Sequence, residues 1–273
     1  MPPTILALDF DGVLCDGTIE YFETSWRTYC QIWNPDSQTL PADLRSPSVR
    51  VSEAVRSTAQ SRFTDLRPVI EVGWEMPILL RALLLGIPEE KIWQDWAGVA
   101  QHLLVTEQLN AADIGKLLDN IRDEWIATDL DSWLGLHRFY PGVVERLREL
   151  QTSEVQPVII TTKEGRFVCQ LLQQQGIDLP SESIIGKESR RAKHLSLQEL
   201  LATSADNPVS IWFVEDRLKT LQSVQEQPEL EAVKLYLADW GYNTPAQRAS
   251  VPDRGLIQLL SLSQFVQDFS VWP

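Results

Sequence analysis

Basic side chains are scarce in this sequence: 24 Lys and Arg residues face 38 Asp and Glu residues, a formal net charge of −14 at pH 7. A chain this acidic repels polyanions, so neither nucleic acids nor anionic membrane surfaces are expected partners. A small phosphorylated molecule is not excluded as a ligand, because a bound divalent cation and a few basic groups at the site can outweigh the negative potential of the chain as a whole.

Cysteine and long apolar runs are scarce as well. The three cysteines, Cys15, Cys30 and Cys169, are widely spaced and no CxxC pair occurs, which argues against a disulfide framework and a structural zinc site. The most apolar stretch, residues 76–87, is interrupted by Arg81 and is too short to span a bilayer. The first residues lack the basic segment of a signal peptide. We therefore expect a soluble, cytoplasmic protein.

The two ends of the chain carry the pattern of a parallel α/β sheet. Five short apolar runs rich in branched residues predict buried strands, at residues 5–8, 158–160, 183–185, 209–214 and 232–237. Between most of them lie patterns typical of helices, at residues 143–150, 167–175, 195–201 and 218–224. Strands that alternate with helices indicate a parallel sheet covered on both faces.

The region between the first and second predicted strands is different, because apolar residues recur there with a period of about 3.6 and no convincing strand appears. Helices are predicted at residues 21–33, 49–63, 77–85, 92–104 and 114–126, and a loop with three prolines at residues 34–47. The predicted fold is α/β, a Rossmann-like core of residues 1–16 and 138–273 with an inserted all-helical cap over residues 17–137.

Polar side chains follow the predicted strands at the points where they end. In an open parallel sheet, the carboxyl ends of the strands meet at one edge, which is where active sites form. Four groups lie there: Asp9 and Asp11; Thr161, Thr162 and Lys163; Lys193; and Glu215 and Asp216. We expect these groups to converge.

The acidic members of this set indicate a metal site. Side chains two apart on an extended segment point the same way, so Asp9 and Asp11 can face one pocket, and Gly12 lets the chain turn sharply after them. With Glu215 and Asp216 nearby, the carboxylates would repel one another without a cation. Hard oxygen ligands favour Mg²⁺.

Two further groups suit a phosphate. Thr161 can donate a hydrogen bond to a phosphoryl oxygen, and Lys193 supplies a positive charge beside the acids.

The same residues resemble the motifs of the haloacid dehalogenase-like hydrolase superfamily. Residues 9–14 (DFDGVL) resemble its first motif, residues 159–163 (IITTK) its second, and Glu215-Asp216 its fourth; the third is a lysine near the start of a helix. Residues 140–143 (YPGV) and 238–243 (ADWGYN) resemble the phosphoglycolate phosphatase-like and beta-phosphoglucomutase-like branches, which carry a helical cap. The resemblance covers roughly residues 1–20 and 138–270.

The resemblance implies roles for individual residues. Asp9 would be the nucleophile that forms an aspartyl-phosphate, and Asp11 the acid and base. Thr161 and Lys193 would bind the phosphate, with Gly12, Thr162 and Lys163 beside them. Magnesium would be held by Asp216, Glu215, the Asp9 carboxylate and the Asp11 backbone carbonyl. The implied function is magnesium-dependent hydrolysis of a small phosphorylated metabolite.

Several points stay open at this stage. The family's fourth motif often has a second acid where this chain has Thr220, and Lys187 competes with Lys193 for the third-motif position. Arg67 and Glu71 lie in a mixed stretch between helical patterns, which is either a plain turn or a loop that contacts the substrate.

Three other functions also stay open. A phosphomutase would pass the phosphate to a sugar, and a phosphonate-cleaving enzyme would need a cap lysine, for which only Lys91 and Lys116 are present. The third alternative is a non-catalytic binding protein that keeps the pocket.

Overall fold

The computed structural model describes residues 2–33, 53–202 and 209–273. The chain divides into two compact units, one of Met1–Asp16 with Arg138–Pro273 and one of Gly17–His137. The loop predicted at residues 34–47 and the start of the helix predicted at 49–63 lie outside the described residues. None of the described helices has the length and apolar content needed to cross a membrane.

All the strands described belong to the first unit. In chain order they are β1 (Ile5–Leu8), β2 (Cys15–Asp16), β3 (Arg138–Phe139), β4 (Gln156–Ile160), β5 (Ile184–Ile185), β6 (Ile211–Glu215), β7 (Lys234–Ala238) and β8 (Ile257–Leu260).

The helices are also numbered in chain order. The second unit contains α1 (Thr18–Trp33), α2 (Glu53–Leu66), α3 (Glu75–Leu84), α4 (Glu89–Gln94), α5 (Trp96–Thr106), α6 (Ala111–Thr128) and α7 (Leu130–Leu134). The first unit contains α8 (Val143–Gln151), α9 (Gly165–Gln174), α10 (Lys193–Ala202), α11 (Leu218–Gln225), α12 (Pro245–Ala249) and α13 (Leu262–Phe265).

The first unit is built on a six-stranded parallel sheet in the order β5-β4-β1-β6-β7-β8. Every residue of β1 and of β6 is buried, as expected for strands covered on both faces. Counted along the chain, this is the 3-2-1-4-5-6 order of a Rossmann-like sheet. The predicted α/β class is confirmed.

The sheet order creates a crevice beside β1. After β5 the chain crosses back over β1 to form β6, so β4 and β6 flank β1 on opposite sides. In sheets of this kind, ligands bind where the strand order reverses, outside the carboxyl ends of the strands. The register places Leu8 opposite Ile159 on one side and opposite Val214 on the other. The residues that come after these three strands therefore share one edge.

Two features of the strand pattern were not predicted from the sequence. The edge strand β8 is short and carries the partly exposed Leu259, so its apolar pattern is weak. The antiparallel pair β2–β3, with Cys15 opposite Phe139 and Asp16 opposite Arg138, has two residues in each strand. Each of these two strands contains a charged residue, Asp16 or Arg138, so neither forms the apolar run that made the two-residue strand β5 predictable.

The described residues of the second unit form helices joined by short turns, with no strand among them. Its helix α1 packs against α2, α3 and α6. A partly buried ion pair joins α1 to α6: Arg122 Nε lies 2.8 Å from Glu20 Oε1, which also accepts a hydrogen bond from Thr24. The prediction of a single helix at residues 92–104 is wrong, because two helices, α4 and α5, cover this stretch. Asp95 ends α4 and caps α5 by accepting a hydrogen bond from the Gly98 amide at 2.9 Å, so the chain turns there.

Candidate active site

The loop after β1 carries the first two acids. Asp9 follows the strand directly, and its amide donates to Val214 O of the neighbouring β6 at 3.0 Å. The backbone then turns tightly at Gly12, whose φ of +86° is disfavoured for residues with a side chain. A Cβ at Gly12 would also lie 2.4 Å from Asp216 Oδ2. Glycine is therefore required at this position by both backbone conformation and space.

Lys193 links two buried carboxylates. It is the first residue of α10, and its Nζ lies 2.7 Å from Asp9 Oδ1 and 2.6 Å from Glu215 Oε2. All three side chains are at most 11% exposed. Lys187, the other candidate, is exposed in a 3₁₀ turn after β5. Of the two lysines, Lys193 is therefore the one that contacts Asp9.

Three carboxylates form a cluster that can hold a cation. Asp9, Glu215 and Asp216 each offer a ligand oxygen, and these atoms lie within 4.8 Å of one another. Asp216 Oδ1 is buried, and no hydrogen-bond donor of the described residues meets it. Glu215 accepts one hydrogen bond on each oxygen, from the Arg217 amide at 3.0 Å and from Lys193. The Asp11 side chain is not part of this cluster.

The electrostatics of the cluster are unbalanced. Burial, supported by the Glu215 charge, raises the pKa of Asp9 to about 7 even though Lys193 opposes the shift. Burial likewise raises the pKa of Glu215 to about 7 and that of Asp216 to about 6. For Lys193, burial acts to lower the pKa, but Asp9 and Glu215 outweigh it and raise the pKa above its usual value. Among the described residues, the Lys193 charge opposes the shifts of Asp9 and Glu215, and the Arg217 charge opposes that of Asp216. All three pKa values are nevertheless raised, so a further positive charge at the site would be stabilised.

The loop after β4 supplies the hydroxyl and a second lysine. Thr161 is buried; its amide donates to Ile185 O at 3.0 Å, and its Oγ1 accepts from the Lys163 amide at 3.1 Å. The hydroxyl accepts in that bond, so its own proton can still be donated to a ligand. Lys163 Nζ lies 3.2 Å from Asp11 Oδ1, whereas Thr162 is exposed.

The residues predicted in the helical unit occupy a turn. Arg67 begins a 3₁₀ turn (Arg67–Val69), donates to Ile70 O at 3.1 Å and lies over the Tyr21 ring at 5.0 Å. Glu71 is exposed. A contact of Arg67 or Glu71 with substrate stays a prediction.

One group of residues at this site was not assigned from the sequence. The loop after β7, residues 239–243, contacts Asp216 through the Tyr242 amide and the Asn243 side chain. Inspection of the residues directly after each strand end, which identified the other site residues, also identifies this loop when it is applied to β7. The loop was not assigned because the groups it contributes, a backbone amide and a glycine, are uncharged.

Comparisons with known proteins give a family and a fold. The model of the haloacid dehalogenase-like hydrolase family matches residues 89–227, about half of the chain. No curated protein matches the sequence.

Several solved structures are similar over nearly the whole chain. A predicted phosphoglycolate phosphatase from Haemophilus somnus 129pt is 16% identical, with a TM-score of 0.56 and coverage of 96% of this chain and 95% of that one. A haloacid dehalogenase-like family hydrolase from Streptococcus pneumoniae is 16% identical (TM-score 0.53, coverage 94% and 93%). Protein tyrosine kinase A from Mycobacterium tuberculosis is 15% identical (TM-score 0.52, coverage 96% and 95%). At such identities the similarity shows the fold alone.

Proposed function

The chain belongs to the haloacid dehalogenase-like hydrolase family, and we propose that it is a magnesium-dependent phosphatase of a small phosphorylated metabolite. The observation that carries the proposal is the convergence of Asp9, Lys193 and Asp216 at the carboxyl ends of β1 and β6. A nucleophilic carboxylate, a buried ammonium and a metal-binding carboxylate are the groups that phosphoryl transfer through an enzyme carboxylate needs.

The donor set fits magnesium. Asp9, Glu215 and Asp216 offer hard carboxylate oxygens, and the buried Asp216 Oδ1 lacks a donor among the described residues. We assign the metal to Asp9 and Asp216, together with the Asp11 backbone carbonyl. Both oxygens of Glu215 already accept hydrogen bonds, so we assign Glu215 mainly to holding Lys193. When bound, Mg²⁺ would offset the repulsion between the substrate phosphate and Asp9 and stabilise charge on the phosphoryl oxygens.

The chemistry runs in two steps on Asp9. The Asp9 carboxylate attacks phosphorus, the phosphorus–oxygen ester bond breaks, and Asp11 gives its proton to the leaving oxygen. Asp11 then takes a proton from a water molecule that attacks the aspartyl-phosphate, which frees Asp9 and inorganic phosphate. Lys193 stabilises the negative charge that the attack brings next to Asp9.

The loop after β4 serves both the phosphate and the acid. The Thr161 proton would bond to a phosphoryl oxygen, and the backbone at Gly12 leaves space for the phosphate. Lys163 was expected to contact the phosphate together with Thr162. The 3.2 Å contact with Asp11 favours a different task for Lys163, which is to orient the carboxyl group that transfers the proton.

We also propose that residues 17–137 act as a cap that selects the substrate. The β2–β3 pair supports this assignment: Asp16 and Arg138 are paired, so the chain leaves the first unit and returns to it at adjacent positions. A domain attached in this way can close over a site and exclude water. Arg67 and Glu71 remain candidates for contacts with the leaving group.

The test is release of inorganic phosphate from a panel of phosphorylated metabolites, with Mg²⁺ and with EDTA. We expect hydrolysis of at least one with Mg²⁺ alone, and loss of activity to background in Asp9→Asn. The matched control is Asp253→Asn, the same change at an exposed aspartate of the first unit, which should match the wild type. Activity of Asp9→Asn at the wild-type rate would overturn the proposal, and a need for a bisphosphate activator would favour a phosphomutase.

A further inference from the structure

The loop after β7 has no task in the two-step mechanism on Asp9. Its residues 239–243 read DWGYN, and the side chains of Tyr242 and Asn243 are buried. A buried tyrosine and a buried asparagine in a loop need hydrogen-bond partners, and the partners they have indicate what the loop does.

Two residues of this loop bond directly to Asp216. The Tyr242 amide donates to Asp216 Oδ2 at 2.9 Å. The Asn243 side chain donates to the Asp216 backbone carbonyl at 2.9 Å and to Ala238 O at 2.7 Å, which ties the end of β6 to the end of β7. Both the backbone and one carboxylate oxygen of Asp216 are thus held by the loop.

The loop approaches Asp216 closely because of Gly241. A Cβ at this position would lie 2.3 Å from Asp216 Cβ and 2.6 Å from Gly12 O, and real Cβ atoms do not come so near other heavy atoms. Any side chain at Gly241 would push the loop away from Asp216 and from the turn after Asp11. The close approach therefore depends on glycine.

The same loop is anchored to the chain segment after β1. Tyr242 donates its hydroxyl proton to Asp16 Oδ1 at 2.8 Å, and Trp240 Nε1 donates to Val13 O at 3.1 Å. Both acceptors lie in the segment between Asp9 and the end of β2. The loop thus fixes Asp216 relative to the segment that carries Asp9 and Asp11.

We propose that the 239–243 loop, with Tyr242 as its central positioning residue, orients Asp216 for the metal. The Tyr242 amide occupies Oδ2, so Oδ1 is the oxygen that is presented as a ligand. This inference rests on the proposed magnesium site. Groups that orient a ligand in this way typically change metal affinity about 10- to 100-fold when they are altered.

The test is binding of Mg²⁺ alone, measured by isothermal titration calorimetry. Tyr242→Phe keeps the ring and the amide but loses the bond to Asp16, so its Mg²⁺ Kd should rise about 10-fold. Gly241→Ala displaces the loop itself and should raise the Kd about 100-fold. The matched control is Tyr236→Phe, which removes a hydroxyl on β7 that contacts Pro273 O instead of the site, and its Kd should equal that of the wild type.

A second measurement, kcat at saturating Mg²⁺, distinguishes a loss of metal positioning from a general loss of structure. If Tyr242 acts through the metal, saturating Mg²⁺ should bring kcat of Tyr242→Phe back towards the wild-type value. If the wild type binds Mg²⁺ and Tyr242→Phe binds it with the same Kd, the inference alone is overturned, whether or not Gly241→Ala folds. A wild-type chain that binds no Mg²⁺ overturns the proposed function together with it.

Discussion

Replacing Lys193 with methionine removes the ammonium group that contacts both Asp9 and Glu215 in the buried acidic cluster. The substitution keeps an unbranched side chain of similar volume, so the main change is electrostatic. Lys193 Nζ is 2.7 Å from Asp9 Oδ1 and 2.6 Å from Glu215 Oε2, and its side chain is 11% exposed. The variant therefore leaves two carboxylates without their cation in a nearly water-free site.

The size of the effect can be worked out from these distances. At about 2.7 Å and an effective dielectric constant of about 20, Coulomb's law gives about 6 kcal/mol for each contact. Desolvation of the charges offsets much of this attraction. Removal of one partner of a buried ion pair typically costs about 3–5 kcal/mol, because the remaining charge is left uncompensated. We expect the free energy of unfolding to fall by that amount at pH 8.

The assay is urea unfolding of the metal-free protein in EDTA, beside steady-state kinetics with Mg²⁺. Loss of the charge should also lower kcat about 10²- to 10³-fold. Lys187→Met is the matched control, since Lys187 is exposed six residues earlier, and it should change stability by less than about 0.5 kcal/mol. The role assigned to Lys193 is refuted if the free energy of unfolding of Lys193→Met lies within about 1 kcal/mol of the wild-type value, or if Lys187→Met loses as much activity as Lys193→Met.

Two further predictions concern the acids and the metal. If Lys163 orients Asp11, Lys163→Met should lower kcat about 10- to 100-fold with little change in KM, as measured by initial-rate kinetics. A raised KM at unchanged kcat would instead support a contact of Lys163 with the phosphate. In the metal-free protein the pKa values of the proposed metal ligands Asp9 and Asp216 are about 7 and about 6, whereas unfolded carboxylates titrate near 4. The folded chain therefore binds more protons, and its stability falls as pH rises from about 4 to 7. If Mg²⁺ takes the place of those protons, as proposed, the increase in Tm that it causes should be larger at pH 8 than at pH 5.5. The measurement is differential scanning fluorimetry, and equal shifts would contradict the assignment.

The fold class could be predicted from two sequence patterns: short apolar runs that mark buried strands, and an apolar period of about 3.6 residues that marks helices. The buried strands β1 and β6 are continuous apolar runs because both of their faces are covered, and such runs are visible in a sequence. The two-residue strands β2 and β3 give no such signal. The break between α4 and α5 was also missed, since the apolar spacing continues across it and only the Asp95 cap shows where the chain turns.

Much of the candidate site could be predicted from one topological rule. Asp9 and Thr161 come directly after a strand and Glu215 ends one, and parallel strands that are neighbours end at the same edge. Lys193 was harder to assign, because it lies at the start of a helix and Lys187 occurs in the same stretch. Only the contact with Asp9 separates the two lysines.

The pairing of Lys163 with Asp11 and the contact of Tyr242 with Asp216 could not be predicted in the same way. Both contacts join groups that are far apart in the sequence, and nothing in the sequence indicates that these groups are close in space. A backbone amide, such as that of Tyr242, is present at every residue except proline and becomes specific only once the fold has placed it.

The site carries an electrostatic cost that the rest of the sheet must offset. A carboxyl pKa raised from near 4 to about 7, as for Asp9, corresponds to about 4 kcal/mol at neutral pH in the metal-free chain. That is a large part of the roughly 5–15 kcal/mol by which domains are usually stable. A chain selected only for stability would replace these acids with apolar residues, as it does along the buried strands that lead to them. A cation bound at the proposed site would convert this repulsion into binding energy for the metal.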